Sequence, residues 1–193
     1  MKLPKENLFF TSDTHFYHKN IIEHCNRPFD NLYYMHKALI EVWNNKVPPE
    51  ATVFHLGDFA YKGNIEMIKE LIGSLNGSIH LILGNHDYRN HFNRPSILNL
   101  FKSTHDYLYI DVAESEKISQ GIFLCHYPML SWAHSQQKSW QLFGHIHSGP
   151  ESTALDKNLP LKPTQYDVGV DNNRYQPISY DEVKTIITKQ LNK

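Results

Sequence analysis

Cysteine, membrane-length apolar runs and surplus charge are all scarce in this sequence. Its two cysteines, Cys25 and Cys125, are too few for a disulfide framework. That excludes the small disulfide-stapled class and fits a reducing, cytoplasmic compartment. No stretch of about 18 apolar residues occurs, so no transmembrane helix is expected. The opening MKLPKENLFF holds one short apolar patch and no signal-peptide core. Lys and Arg (19) nearly balance Asp and Glu (20), for a formal net charge of −1. Such a balance does not favour broad binding to long nucleic acid or to an anionic membrane. Internal repeats, low-complexity tracts and domain linkers are missing too. The 193 residues therefore read as one domain, 1–193.

What the chain has in plenty is histidine, 13 residues in all. Imidazole is the commonest metal ligand and the usual acid–base group near neutral pH. The histidines sit in a recognisable framework. Leu8-Phe9-Phe10, Thr52-Val53-Phe54, Ile79 to Leu83, Tyr107 to Val112, Ile118 to Cys125, Gln141-Leu142-Phe143 and Tyr166 to Val170 read as strands. Leu32, Met35, Leu39, Val42 and Trp43 draw a helical stripe, with Asp30 as N-cap and Pro48-Pro49 behind. A second stripe runs through Ile65, Ile68, Leu71 and Ile72, between Asn64 and Gly73. A short helix is expected around Ser96 to Phe101. Ser179 and Glu182 have capping-box spacing, opening a last helix with Val183, Ile186, Ile187 and Leu191 as its stripe. Residues 148–164, with three prolines, read as a long surface loop. Strands alternating with helices, plus one hairpin, predict an α/β class with mixed sheets.

Five of the strands end alike. LFF runs into TSDTH, TVFHL into GD, IHLIL into GNHD, IFL into CHYP and QLF into GHIH. Each hands an apolar run to Asp, Asn or His, and α/β sheets gather ligands beyond the carboxyl ends of their strands. Asp13 and His15 are two apart, as are His145 and His147; in extended chain such pairs point to one side. Seven candidates result: Asp13, His15, Asp58, Asn85, His126, His145 and His147. Mixed carboxylate, amide and imidazole donors suit Mn²⁺, Fe²⁺ or Zn²⁺. Seven exceeds what one four-coordinate ion needs, and two ions sharing a carboxylate would use them all.

The order D-x-H, G-D, G-N-H-D, H and G-H-x-H resembles that of the calcineurin-like metallophosphoesterases, across Asp13 to His147. The resemblance implies a metallophosphoesterase sandwich of two mixed β-sheets flanked by helices. It implies that Asp13, His15 and His147 hold a first metal, Asn85, His126 and His145 a second, and that Asp58 bridges. Two divalent ions are expected, Mn²⁺ foremost and Fe²⁺, Zn²⁺ or Ni²⁺ as others, with a metal-bridging hydroxide attacking phosphorus. By resemblance His86 stands near the leaving group as a catalytic acid or oxyanion stabiliser, and Asp87 orients it. Related protein Ser/Thr phosphatases carry arginines after the second motif and a glutamate in the third; this chain has GDFAYKG and GNHD instead. Its form looks closer to the compact bacterial and phage-type members. A phosphodiesterase of small nucleotide-type substrates is therefore expected. A small phosphomonoesterase, or a metal-bound interaction module without turnover, are the alternatives. The chain shows no added DNA-binding domain and no basic balance, which disfavours a nuclease of the recombination type.

Outside the motifs, His18 and Arg27 are candidates to bind substrate, since loops carry function and Arg suits phosphate. His55 reads as a core residue, and Trp132 as packing. His24, His36, His80, His91 and His105 read as surface or supporting residues. Asp171-Asn172-Asn173-Arg174 read as a structural turn.

Overall fold

The computed structural model describes residues 1–89 and 94–193, apart from the side chain of Arg89; His91 lies outside them. Two five-stranded mixed sheets face one another. In the first, β2 (Leu8–Thr11), β3 (Thr52–His55), β4 (Ser78–Ile82) and β5 (Ser103–His105) run parallel. There β10 (Ile178–Ser179) pairs antiparallel to β2. In the second, β6 (Tyr107–Ala113) and β7 (Ser119–Cys125) form the expected hairpin. β8 (Trp140–Phe143) and β9 (Gln165–Asp167) extend it in parallel, and β1 (Lys2–Pro4) joins β6 at the other edge.

The strands of the first sheet are apolar on both faces, because both are covered. Leu8, Phe10, Phe54 and Ile82 meet Ile110, Ile122, Leu124 and Leu142 of the second sheet. The alternate residues Phe9, Val53, Ile79 and Leu81 pack instead with Ile21 of the short α1 (Ile21–His24), Met35, Leu39 and Trp43 of α2 (Leu32–Lys46) and Ile68 and Leu71 of α3 (Ile65–Ser74). This is the period of two that a strand dictates. Each fully buried side chain of this size contributes about 1.5–3 kcal/mol. The last helix, α6 (Tyr180–Leu191), adds Tyr180, Val183 and Ile187 to the inter-sheet core.

The α/β sandwich agrees with the sequence reading, and its local departures have simple causes. Asn31, not Asp30, caps α2: its side chain accepts the backbone N–H of Tyr33 and Tyr34. Gly73 lies inside the final turn of α3, which runs on to Ser74. Leu191 is 49% exposed, because the buried stripe of α6 ends a turn earlier. The helix expected over 96–101 is the single turn α5 (Pro95–Leu98), followed by β5. The Ser179 capping box is present in full, and 148–164 contains no strand or helix.

Candidate metal centre

β2, β3, β4, β7 and β8 all deliver their carboxyl ends to one place. Asp13 and His15 follow β2, Asp58 follows β3, Asn85 and His86 follow β4, His126 follows β7, and His145 and His147 follow β8. Extended chain is not what brings the i, i+2 pairs together, as the spacing had suggested. Asp13 (φ 58), His15 (φ 51), Asp58 (φ 56), His145 (φ 72) and His147 (φ 47) are all left-handed. Such a conformation costs a non-glycine residue about 1 kcal/mol or more, and it persists only where the surroundings hold it. Here Asp13 N–H donates to the Gly57 carbonyl (3.0 Å) and His15 N–H to that of Asp58 (2.9 Å). Gly84 is needed for space rather than for a left-handed φ. A Cβ there would strike the backbone and carboxylate of Asp58 and the ring of His126.

Asp58 lies at the middle. Its Oδ2 is 3.5 Å from His15 Nε2, and its Oδ1 is 3.7 Å from His126 Nε2. On one side, His15 Nε2 and His147 Nε2 each lie 3.9 Å from Asp13 Oδ1. On the other, Asn85 Oδ1 is 3.1 Å from His126 Nε2. Asp13 Oδ1 and His15 Nε2 are buried without a hydrogen-bond partner. The tautomer of His126 follows from its surroundings. Its Nδ1 lies 2.8 Å from the Leu56 carbonyl, which can only accept, so Nδ1 carries the proton. Burial holds the ring down to about 4, so it is neutral and Nε2 is a bare electron pair. That pair faces the Asn85 Oδ1 at 3.1 Å, one acceptor against another. Burial, with Asp13 and Asp87 nearby, pushes the Asp58 carboxyl well above its usual range. Donor atoms gathered at these separations, with buried carboxylates crowded together, fit divalent cations.

Six of the seven candidates enter these close contacts. His145 stands at the rim: its ring centroid is 5.1 Å from that of His126, and its backbone N–H donates to Asp13 Oδ2 (2.9 Å). His86 lies beside them. Its Nε2 is 3.9 Å from Asp58 Oδ2, within reach of a shared ion, yet its side chain is 25% exposed. That exposure favours a role toward solvent and substrate.

Two expectations need correction. Asp87 does not orient His86: its carboxylate accepts the backbone N–H of Gly84 (2.8 Å), Asp58 (2.8 Å) and Phe59 (3.1 Å). It sits third in the short helix α4 (Asn85–Arg89), reaches back to the residue before that helix as half of a capping box, and staples the β3 and β4 loops together. Nor is Arg27 open to substrate. It is 4% exposed, and its Nε and Nη2 grip both oxygens of Asp171 at 2.8 and 2.9 Å. The remaining donors hold the carbonyls of Asp13 (2.7 Å) and Thr14 (3.1 Å).

Asp171 was missed, having been read as part of a turn. Its Oδ2 accepts from His147 Nδ1 at 2.6 Å, which leaves Nε2 aimed at Asp13. Burial alone would raise Asp171, but Arg27 and His147 hold it down to about 2. Burial pulls His147 down, and Asp13 with Asp171 overcomes this and holds it well above its ordinary value. A signal for Asp171 existed, because it follows the strand-like run to Val170 just as the other candidates follow theirs.

A cavity of about 590 Å³ opens beside this cluster, bordered by His15, His18, Tyr61, His86, His147 and Leu155 among others. The last comes from the 148–164 loop, whose Thr153 is tied to the His24 carbonyl (2.9 Å). His18 thus stands at the site, stacked on Tyr61 at 4.0 Å. A second cavity, about 560 Å³ between Lys46 and α6, shares none of these residues. His55 is a core residue as expected, bonded to Thr14 Oγ1 at 2.9 Å. Trp132 packs against Ser139. Among the described residues no helix is long and apolar enough to cross a membrane.

Comparison with known proteins gives the same picture. The family model for calcineurin-like phosphoesterases matches residues 7–171. An uncharacterized protein of Methanocaldococcus jannaschii is 33% identical over 185 residues, 94% of this chain and 92% of its own length. The Gene 66 protein of Mycobacterium phage D29 is 27% identical, over 94% of this chain and 96% of its own. A crystal structure of a protein of unknown function from Aquifex aeolicus superposes with a TM-score of 0.67 at 26% identity, covering 93% of this chain and 98% of that one.

Proposed function

The chain belongs to the calcineurin-like phosphoesterase family, and from that premise we propose that it is a phosphodiesterase of small, nucleotide-type substrates. The family hydrolyses phosphoric esters with a dinuclear metal centre, and the His/Asp clusters around Asp58 fit one. The observation that carries the reading is the buried, unpartnered Asp13 Oδ1 and His15 Nε2 on one side of Asp58, with His126 Nε2 and Asn85 Oδ1 facing each other on the other. Asp13, His15 and His147 would hold one ion, Asn85, His126 and His145 the other, and Asp58 both; their mixed donors suit Mn²⁺. Such ions supply, when bound, a water activated near neutral pH and neutralisation of charge on the phosphoryl oxygens.

The chain's own residues do the rest. Asp58 keeps the two halves at one spacing. His86, part exposed beside Asp58, gives a proton to the departing oxygen. Asp87 serves that step indirectly, by fixing the loop that carries His86. A diester supports the reading better than a monoester for a reason of charge. No Lys or Arg is among the described residues that border the cavity, whose polar wall is largely imidazole. A diester brings one negative charge to that wall where a monoester dianion brings two.

Hydrolysis of bis(p-nitrophenyl) phosphate and of p-nitrophenyl phosphate, with Mn²⁺ and with EDTA, tests this in wild type and His86→Ala. The expected result is diester cleavage that EDTA abolishes and His86→Ala lowers about 100-fold. Cleavage of the monoester alone would overturn the substrate class. Tight binding of two ions without cleavage of either would leave a binding module.

A further inference from the structure

His15 must present a bare Nε2 if it is to hold an ion, and that atom is the one buried without a partner. A neutral imidazole carries one proton, so the proton of His15 sits on Nδ1. Its neighbour there is not a carboxylate or a carbonyl, as for His147 and His126, but the Nδ1 of His18, 3.1 Å away. Two N–H groups cannot face each other at that distance, so His18 Nδ1 accepts. A His18 that accepts at Nδ1 is not an imidazolium, and its single proton must be on Nε2. Stacking on Tyr61, with ring planes 11° apart, fixes the ring, and His18 borders the cavity.

We infer that His15 and His18 form a relay in which His18 steadies His15 through Nδ1 and offers Nε2–H to a phosphoryl oxygen of the substrate. The identity of that ligand rests on the phosphoesterase reading; the proton arrangement does not. The relay gives the cavity a neutral donor where it has no Lys or Arg among its described residues. It also makes His18 both a positioning residue for His15 and a contact for the substrate.

Nitrogen NMR of the full chain, metal-free and Zn²⁺-loaded, tests the arrangement without any turnover. The expected spectrum shows His18 with a pyridine-type Nδ1 and a pyrrole-type Nε2; a pyrrole-type Nδ1 would overturn the relay. Two variants then separate its halves. His18→Asn places an amide oxygen near the Nδ1 position and removes the Nε2 donor. Its Mn²⁺ affinity should stay within about threefold of wild type, while inorganic phosphate binds about 10–100-fold more weakly to the Mn²⁺-loaded protein. His18→Phe keeps a ring on Tyr61 but no acceptor, and should lose about 10–100-fold in Mn²⁺ affinity. Unchanged phosphate binding in His18→Asn overturns the donor role, and unchanged Mn²⁺ binding in His18→Phe overturns the support of His15. If wild type binds Mn²⁺ but neither phosphate nor any phosphoester, the phosphoesterase reading falls and takes the donor role with it. The support of His15 is then decided by the nitrogen spectra and by His18→Phe alone.

Discussion

His147 and His126 stand on opposite sides of Asp13 and Asp58, each turning Nε2 inward. Behind them the two halves of the centre differ. His147 donates Nδ1–H to the carboxylate of Asp171, itself gripped by the buried Arg27. His126 donates Nδ1–H to the backbone carbonyl of Leu56, at the end of β3. A carboxylate behind a ligating histidine raises its basicity more than a neutral carbonyl does. The first half is therefore braced by charge brought from distant segments, and the second by the sheet itself. The first half should hold its ion more tightly, and the second should exchange it more readily.

Asp58 turns one oxygen toward His15 and the other toward His126, so its loss should have the largest effect. Asp58→Asn keeps the shape and removes the shared charge. The expected outcome is a fall of about 1,000-fold or more in kcat/KM on the diester, with weakened Mn²⁺ binding in both halves. Calorimetric titration beside the kinetics checks this. A variant that loses one ion and keeps the other at wild-type affinity would show that Asp58 belongs to one half alone.

Arg27→Met comes next, and its effect is on stability. It leaves Asp171 buried without its cation, which costs about 3–5 kcal/mol in buried pairs of this kind. It also strips the carbonyls of Asp13 and Thr14 of their donors. A large drop in Tm for metal-free protein, measured by circular dichroism, is expected. An unchanged Tm would mean that the brace is not structural and that the contrast between the halves is smaller than drawn.

The legibility of the molecule follows the same contrast. The gathered residues were readable because each follows an apolar strand, and strand ends in α/β sheets meet. Arg27 and Asp171 are 144 residues apart. No local pattern links an arginine after one short helix to an aspartate after β9, so one was misassigned to substrate and the other to a turn. The left-handed φ values at Asp13, His15, Asp58, His145 and His147 left no trace in the sequence either, because Asp and His tolerate that region better than most side chains yet enter it in only a minority of cases. β1, β5 and β10, at three, three and two residues, are too short for a period of two to show. Asp87 was read from its motif as the partner of His86, but its partners are backbone groups of its own loop and of the β3 loop, which spacing cannot reveal.

The finest test of the comparison is Asp171→Asn. The amide oxygen can still accept from His147 Nδ1, while its NH2 turns toward Arg27 Nε, so the charge behind the ligand and one of the two bonds to Arg27 disappear together. Mn²⁺ affinity should fall about 10–100-fold in one of two binding steps and stay unchanged in the other. Equal weakening of both steps would mean that Asp171 serves the whole site and not its first half. Acid unfolding gives a second readout. Arg27 and His147 depress Asp171 from 3.8 to about 2 in the folded chain. Its stabilisation is therefore complete above the ordinary carboxylate value and is lost as pH falls through the folded one. On this account wild type should lose about 2 kcal/mol between about pH 5 and pH 1, most of it across pH 4 to 2. In Asp171→Asn nothing titrates there, so its unfolding curve should be flatter in that window, from a lower starting stability. Parallel curves would place the acid sensitivity elsewhere and remove the charged brace from the first half.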